Sequence, residues 1–350
     1  MKVRFLEEDI DMGIELSFII PAYNCEVLLR RCVDSIESDI QKNNATCEVL
    51  IVENGSIDKT WDVGEALKEK YENIVLLKSD KGVSKARNAG IKQANGKWLI
   101  FVDADDEWIC GSIAKILKQL ENNSIDLLMY SYYKGDKRIA HDYKTINAVF
   151  SDCLDDFKAW LLVRPTLHMQ VWAKVFKSSI IEKCNLCFDE RLSFSEDSEF
   201  LLRYVQQCDS AFVSDSPIYR YSSSGVSAVR TYNPDRQKMY LKSLETTSKD
   251  IENESITVKV AYVEYILAHL NLIAVHDIFD LQIKGSFWEK NKNMRRLIKE
   301  PVFEKALHDI PLKQCLNMHL SPEVCIKCHL SLVGGAICYF KAYLNFRQQR

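Results

Sequence analysis

The first 133 residues alternate short apolar runs with helical stretches, and few folds accept that rhythm. "LSFII" (16–20), closed by Pro21, opens it. "CEVLIVE" (47–53), "IVLL" (74–77), "KWLIFVD" (97–103) and "DLLMYSYY" (126–133) read as further strands. Between them, segments at about 26–38, 59–71, 83–94 and 112–121 read as helices, and Asn95-Gly96 ends the third. Strands separated by helices of this length form βαβ units, hence an α/β fold with a mainly parallel sheet flanked by helices. Ligands of such sheets sit beyond the carboxyl ends of the strands.

The later chain is less regular. Segments 153–163, 170–182 and 196–207 look helical, and "AFVSDSPIYRYSSSGVSA" (211–228) has strand and turn character. From about Pro234 the chain is mostly helical, and 260–279 is its most apolar part. We place a tail at 1–14, one α/β domain at 15–230 and a helical extension at 231–350. The α/β domain divides near residue 130 into two halves.

With 350 residues, 47% of them hydrophobic, the chain can bury a full core. Its net charge of -3 lacks the basic excess of a nucleic-acid binder, so no nucleic-acid partner is expected. The start, "MKVRFLEEDIDMG", lacks the apolar run of an export signal, and we expect a cytoplasmic chain. Leu330 to Phe340 is too short to span a bilayer. Twelve cysteines then read as mostly free thiols. The C-x-x-C pairs Cys184/Cys187 and Cys325/Cys328 lie far apart with no other ligands near either, and read as small buried hydrophobes rather than a zinc site.

Chemistry starts at "LIFVDADDEW" (99–108). Leu99 to Val102 form a buried strand, and Asp103, Asp105 and Asp106 follow within four positions. Asp103 and Asp105 are two apart, so in an extended chain they share a side. Two carboxylates there suit a hard divalent cation, which leaves its other positions to water and phosphates. A solvated turn, with Asp106 supporting the next helix, is the plainer alternative. "IIPAYN" (19–24), "IVENGSIDKT" (51–60) and "KGVSKARNAGI" (81–91) also put polar groups, Gly or Asn at predicted strand ends. All four motifs therefore face one crevice. No G-x-G-x-x-G follows the first strand, so a dinucleotide-binding domain is not expected.

Over residues 16–228, this run of motifs resembles glycosyltransferase family 2, the inverting enzymes of the Rossmann-like GT-A fold. The resemblance makes 15–130 the nucleotide-sugar half and 131–230 the acceptor half. It implies that Pro21, Ala22, Tyr23 and Asn24 form the first nucleotide-contacting loop, with Tyr23 on the base or ribose. Glu53 and Asn54 stand where one residue accepts from a uracil ring. Asp58 follows the Gly-Ser turn, although it could also cap the next helix. Lys81 and Arg87 match cations near the base and diphosphate, with Arg87 in the first turn of its helix; Lys81 could equally be a solvated charge. Asp103 would hold the ribose, Ala104 would sit between, and Asp105 would hold Mg2+ or Mn2+ as the D-x-D metal ligand.

A base is also needed to take the acceptor proton. "FSEDSEFLLR" (194–203) resembles the family's Glu-Asp motif, with Asp197 as base and Glu196 as its support. "VWAKVFKSSII" (171–181) resembles the preceding segment; Trp172 could floor the acceptor or be core, and His168 could approach the site or be structural. "YRYSSSGVS" (219–227) resembles the segment over the donor diphosphate, with Tyr221 and Ser227 as its candidates.

The implied reading is an EC 2.4 hexosyltransferase. It moves a sugar from a nucleotide-sugar, a UDP-sugar by preference, to a saccharide or lipid-linked saccharide in surface polysaccharide biosynthesis. Two alternatives stay open: a non-catalytic partner in a polysaccharide-assembly complex, and a nucleotidyltransferase. The last helix, "VGGAICYFKAYLNFRQQR" (333–350), mixes aromatics with Lys341, Arg347 and Arg350. It suits peripheral contact with the inner face of an anionic membrane, or packing on the rest of the chain.

Overall fold

A computed structural model describes residues 13–121, 124–144, 146–152, 154–222, 235–311 and 321–348. Strands β1 (Leu16–Ala22), β2 (Cys47–Glu53), β3 (Ile74–Lys78) and β4 (Trp98–Phe101) alternate with helices α1 (Leu29–Asn43), α2 (Thr60–Lys70) and α3 (Val83–Gln93). β1 lies between β2 and β4, parallel to both, and β3 is parallel to β2. Every residue of β2, and every residue of β1 except Pro21, is buried. These strands therefore read as continuous apolar runs rather than alternating ones.

β1 runs through Pro21 instead of closing there. It pairs with β4 only as far as Ile19, whose carbonyl accepts from Val102 N at 3.0 Å. Pro21, two residues on, faces the side where β4 has ended, so its missing N–H costs no ladder bond.

The chain continues with β5 (Glu107–Trp108), α4 (Ser112–Leu120), β6 (Leu127–Lys134), β7 (Lys137–Ile139), β8 (Val149–Phe150), α5 (Leu154–Val163) and α6 (Pro165–His168). Then come β9 (Lys174–Lys177), α7 (Ser178–Lys183), α8 (Glu196–Val205) and β10 (Ala211–Tyr221). The sheet order is β3-β2-β1-β4-β9-β6-β10-β5. The helix expected over 170–182 is a correction: β9 fills part of it, antiparallel to β4 (Leu99 opposite Phe176) and to β6 (Leu128 opposite Val175). A short apolar run fits strand or helix by pattern alone. Here the open edges of β4 and β6 decide, and the sheet is mixed rather than all parallel.

Two glycines set the packing beneath the strand ends. A Cβ on Gly90 of α3 would lie 2.4 Å from Ile19 Cγ2, and one on Gly96 would lie 2.6 Å from Ser17 N. Ser17 Oγ donates to Glu48 Oε1 (2.5 Å) and accepts from Gly96 N (2.8 Å), while Asn95 N donates to Glu48 Oε1 (2.6 Å). This buried network fixes the turn between α3 and β4.

Two compact units are interleaved in the sequence. The first holds the chain up to His141, Trp172–Asn185 and Ser214–Ser222; the second holds Asp142–Val171, Leu186–Val213 and Ser223–Arg350. The division expected near residue 230 falls outside the described residues. In the second unit β8 pairs antiparallel with the start of β10. Its later helices are α9 (Arg236–Asp250), α10 (Ile256–Ile273), α11 (Phe287–Ile298), α12 (Pro301–Asp309), α13 (Ser321–Lys327) and α14 (Ser331–Gln348), with a π-helical turn at Ala274–Ile278. α10 and that turn are long and apolar enough to cross a membrane, with a mean hydropathy of 1.4, but 67% of the segment is buried inside the protein. Tyr265, Leu267, Leu270 and Ile273 are fully buried, and α10 packs on α5 and α12 as the core helix of this unit.

Candidate active site

The carboxyl ends of β1, β2 and β4 lie side by side in the first unit, and the expected nucleotide-contacting residues follow them. The loops after β1 and β2 are stitched together. Asn24, at φ +47°, donates its N–H to Ser56 Oγ (3.0 Å) and accepts from Ile57 N at Oδ1 (2.9 Å). Glu26 N donates to Asp58 Oδ2 (3.2 Å). Asp58 Oδ1 accepts from Thr60 N (3.0 Å) and Thr60 Oγ1 (2.6 Å) at the start of α2. Asp58 thus works as a latch between two loops, with both oxygens engaged.

Tyr23 is 40% exposed, and the Lys81 ammonium stands 4.7 Å from its ring centre. Lys81 also closes on Gly55 (φ +86°), where a Cβ would meet Lys81 Cβ at 3.3 Å. Ala22 is buried and offers its carbonyl to Asn54 N at 3.0 Å. Glu53 and Asn54 are both buried, but they differ. Glu53 accepts from Ser56 N within its own turn, whereas Asn54 Oδ1 has no hydrogen-bond partner among the described residues.

Arg87 is 3% exposed, and its Nη2 lies 3.3 Å from Asp103 Oδ1. Val83 opens α3, so Arg87 starts the second turn of that helix rather than lying in the first. Asp103 and Asp105 are half-buried, and Ala104 between them is buried. Arg31 Nη2 donates to Asp105 O (2.8 Å) while its Nε pairs with Glu107 (3.1 Å). Asp106 is fully buried and accepts from the Tyr219 hydroxyl (2.6 Å) and Ser222 N (2.6 Å). Tyr219 in turn accepts from Asp103 N (3.0 Å). Burial, and then the negative charge of Asp103, push the Asp106 carboxyl up to about 8, against those hydrogen bonds. Asp106 therefore braces the 103–106 turn from β10 and does not support the following helix. Asp39 of α1 does that, taking Trp108 Nε1 (2.9 Å) and Ile113 N (2.9 Å). Neither Tyr219 nor Arg31 carries a motif that would reveal these roles in the sequence.

Trp172 is 9% exposed and stacks on Tyr219 (4.9 Å, 8°) and Tyr221 (5.5 Å, 14°), with Tyr132 edge-on at 4.6 Å. Its position backs the Tyr219 brace instead of offering an open ring. Ser227 lies outside the described residues. Among the described residues no three His, Cys, Asp or Glu side chains gather as a ready metal cage; the C-x-x-C cysteines are not the buried hydrophobes expected, since Cys187 and Cys328 are exposed and Cys184 and Cys325 half-buried. The D-x-D donor set nevertheless fits Mg2+ or Mn2+, hard ions that accept one or two protein carboxylates and complete their shell with phosphate and water. Asp103 faces Arg87.

Asp197 and Glu196 lie in the second unit, half-buried in the first turn of α8. Asp197 Oδ2 accepts from Val171 N at 3.4 Å. Ser195 before them holds φ +64°. Its Oγ lies 3.0 Å from His269 Nε2 of α10, 2.7 Å from Ser198 Oγ and 3.2 Å from Ser243 Oγ of α9. The extension thus supplies the support beneath the Glu-Asp motif. His168 is 2% exposed, stacked 3.8 Å from Trp160 in an aromatic cluster of the same unit.

Residues 17–183 match the family model described as Glycosyl transferase family 2. This segment is a family 2 glycosyltransferase domain. The chain is 28% identical over 212 residues to the uncharacterized glycosyltransferase EpsJ of Bacillus subtilis, covering 59% of this chain and 60% of EpsJ. It is 33% identical over 138 residues to the Escherichia coli UDP-Glc:alpha-D-GlcNAc-diphosphoundecaprenol beta-1,3-glucosyltransferase WfaP, covering 39% of this chain and 51% of WfaP. The matches thus span about half to three fifths of these two relatives. Among solved structures, S. aureus TarS 1-349 in complex with UDP-GlcNAc superposes with a TM-score of 0.67 at 19% identity, over 96% of this chain and 93% of that one. The family 2 domain has the GT-A fold, and the likeness extends through the helical C-terminal part.

Proposed function

We propose that this chain is an inverting hexosyltransferase that moves a sugar from a UDP-sugar to an acceptor hydroxyl. The acceptor is a saccharide, lipid-linked, in the assembly of a surface polysaccharide. The observation that carries the reading is the buried Arg87 guanidinium, turned to Asp103 at the head of the D-x-D turn. A buried cation beside two acids at a strand end has little use in a core, and it suits a diphosphate by charge and shape. WfaP, a glucosyltransferase acting on a diphosphoundecaprenol-linked sugar, and the UDP-GlcNAc held by TarS support the substrate class.

Tyr23 packs on the base, with Lys81 above its ring and Pro21, Ala22 and Asn24 shaping the loop. Asn54 Oδ1, left open where Glu53 is engaged, accepts from the uracil imide, and Asp58 keeps that loop in place. Asp103 binds the ribose hydroxyls. Asp105 holds Mg2+ or Mn2+, which, when bound, offsets charge on the leaving diphosphate. Arg87, with Tyr221 and Ser227, binds the same diphosphate. Asp197, supported by Glu196, takes the proton of the acceptor hydroxyl as it attacks the anomeric carbon.

Two variants test the division of roles. Asp105→Ala abolishes transfer and weakens UDP binding in the presence of Mn2+. Asp197→Ala lowers transfer by about 10²–10⁴-fold, the range of a lost general base, with UDP affinity unchanged. Titration calorimetry showing equal loss of UDP binding in both, or wild-type turnover in either, would refute the assignment.

A further inference from the structure

The last helix turns its small residues inward and its large apolar ones outward. In α14, Gly334, Gly335, Cys338 and Ala342 are buried. A Cβ on Gly334 would lie 2.9 Å from Pro322 O of α13, and one on Gly335 would lie 2.1 Å from Asn291 Oδ1 of α11. By contrast Leu332, Val333, Tyr339, Phe340, Tyr343 and Leu344 are 38–59% exposed. Their spacing places them on one face, with the Arg347 guanidinium 6.0 Å from the Tyr343 ring at its end. A helix that is apolar all round expects cover on every side, and here the protein covers one side. So long an apolar stripe marks an interaction site.

Charge identifies the occupant. α14 itself carries Lys341 and Arg347 and no Asp or Glu, in a chain of net charge -3; Lys327 before it is already engaged, donating to Leu307 O (2.7 Å) and His308 O (2.8 Å). The neighbouring α11 meets α14 through Phe287 and Tyr339, whose ring centres are 6.2 Å apart. Next to that contact Trp288 is 69% exposed. Lys292, Arg295 and Arg296 are exposed along the same helix, against the single exposed acid Glu289.

We propose that α14, with the Trp288 end of α11, is a docking surface for an anionic lipid bilayer. The apolar face enters the boundary between headgroups and acyl chains. Trp288 and the tyrosines sit at headgroup depth, where amphipathic rings are favoured. The exposed Lys292, Arg295, Arg296 and Arg347 meet anionic headgroups, each adding to the attraction. A second copy of this chain fits less well, because it would bring the same cations face to face.

The test is flotation of the full chain with vesicles, without donor or acceptor, so its outcome is independent of the proposed transfer. Binding should be about ten-fold tighter to vesicles containing phosphatidylglycerol than to phosphatidylcholine alone, and should fall with salt. Phe340→Glu with Leu344→Glu, both exposed in wild type, should abolish flotation while circular dichroism and the thermal midpoint stay unchanged. Lys292→Glu with Arg295→Glu should remove the preference for phosphatidylglycerol. Failure of the wild type to float, equal binding to both vesicles, or flotation of the Phe340/Leu344 variant overturns the proposal. So does a concentration-dependent dimer that this variant dissociates, with no vesicle binding by the wild type; the face would then belong to a second copy.

Discussion

His269 shows how one side chain ties the helical extension to the Glu-Asp motif. Its Nδ1 lies 2.9 Å from Tyr265 O, which can only accept, so that nitrogen carries the hydrogen and Nε2 accepts from Ser195. Burial holds the imidazole down at about 4. The unfolded chain takes up that proton near 6.5, so stability from neutral His269 is full above 6.5 and is lost as pH falls towards 4. The loss reaches roughly 3 kcal/mol at the bottom of that window. Thermal unfolding between pH 7 and pH 5 should therefore fall more steeply for wild type than for His269→Gln; parallel slopes would remove the assignment. Transfer by the folded enzyme should be lost through this group only as pH reaches about 4, where Nε2 becomes protonated and can no longer accept from Ser195, whose left-handed backbone places Asp197. None of this is legible in the sequence, where Ser195 and His269 stand 74 positions apart with no shared motif. The candidates that the sequence singles out, from Pro21 to Asp105, stand at or near strand ends in the structure, where a local pattern can point to them.

At the scale of elements, α3 is the lever that presents Arg87, and Gly90 sets how close it lies to β1. Gly→Ala within a helix ordinarily gains up to about 1 kcal/mol. Here the added methyl meets Ile19 at 2.4 Å, so Gly90→Ala should cost about 1–3 kcal/mol. It should also weaken UDP binding by displacing Arg87 from Asp103. Ile19→Ala in the same chain should recover part of the loss. Additive effects in denaturant unfolding of the two singles and the double would show that the contact is not limiting. β1 to β4 could be read because each strand is a continuous apolar run bounded by turn residues. β9 could not. "AKVFK" suits either structure, and its pairing with β4 and β6 involves residues about fifty to eighty positions away. β5, only two residues long, is likewise defined by its partner β10.

For the whole molecule, the most apolar helix is a core element. If α10 is the spine of the second unit, amides of 258–273 should be among the slowest to exchange by hydrogen–deuterium mass spectrometry, and no detergent should be needed to keep them protected. Fast exchange there, slowed only by added lipid, would reverse the roles of α10 and α14. The sequence marks both helices as apolar without telling them apart, because the distinction lies in what covers each face.

The interleaving of the two units bears on how the chain is made. Synthesis delivers β1 to β4 first, and these strands can pair as they emerge, whereas β5 and β6 wait for β10 and β9. The second unit cannot close then, since α8 rests on α9 and α10, more than thirty residues further along. Asp197 therefore leaves the ribosome well before the serine and histidine that hold its turn. On the proposed chemistry, a nascent chain could bind a nucleotide-sugar before it could activate an acceptor, and transfer would begin only once the later helices had been translated.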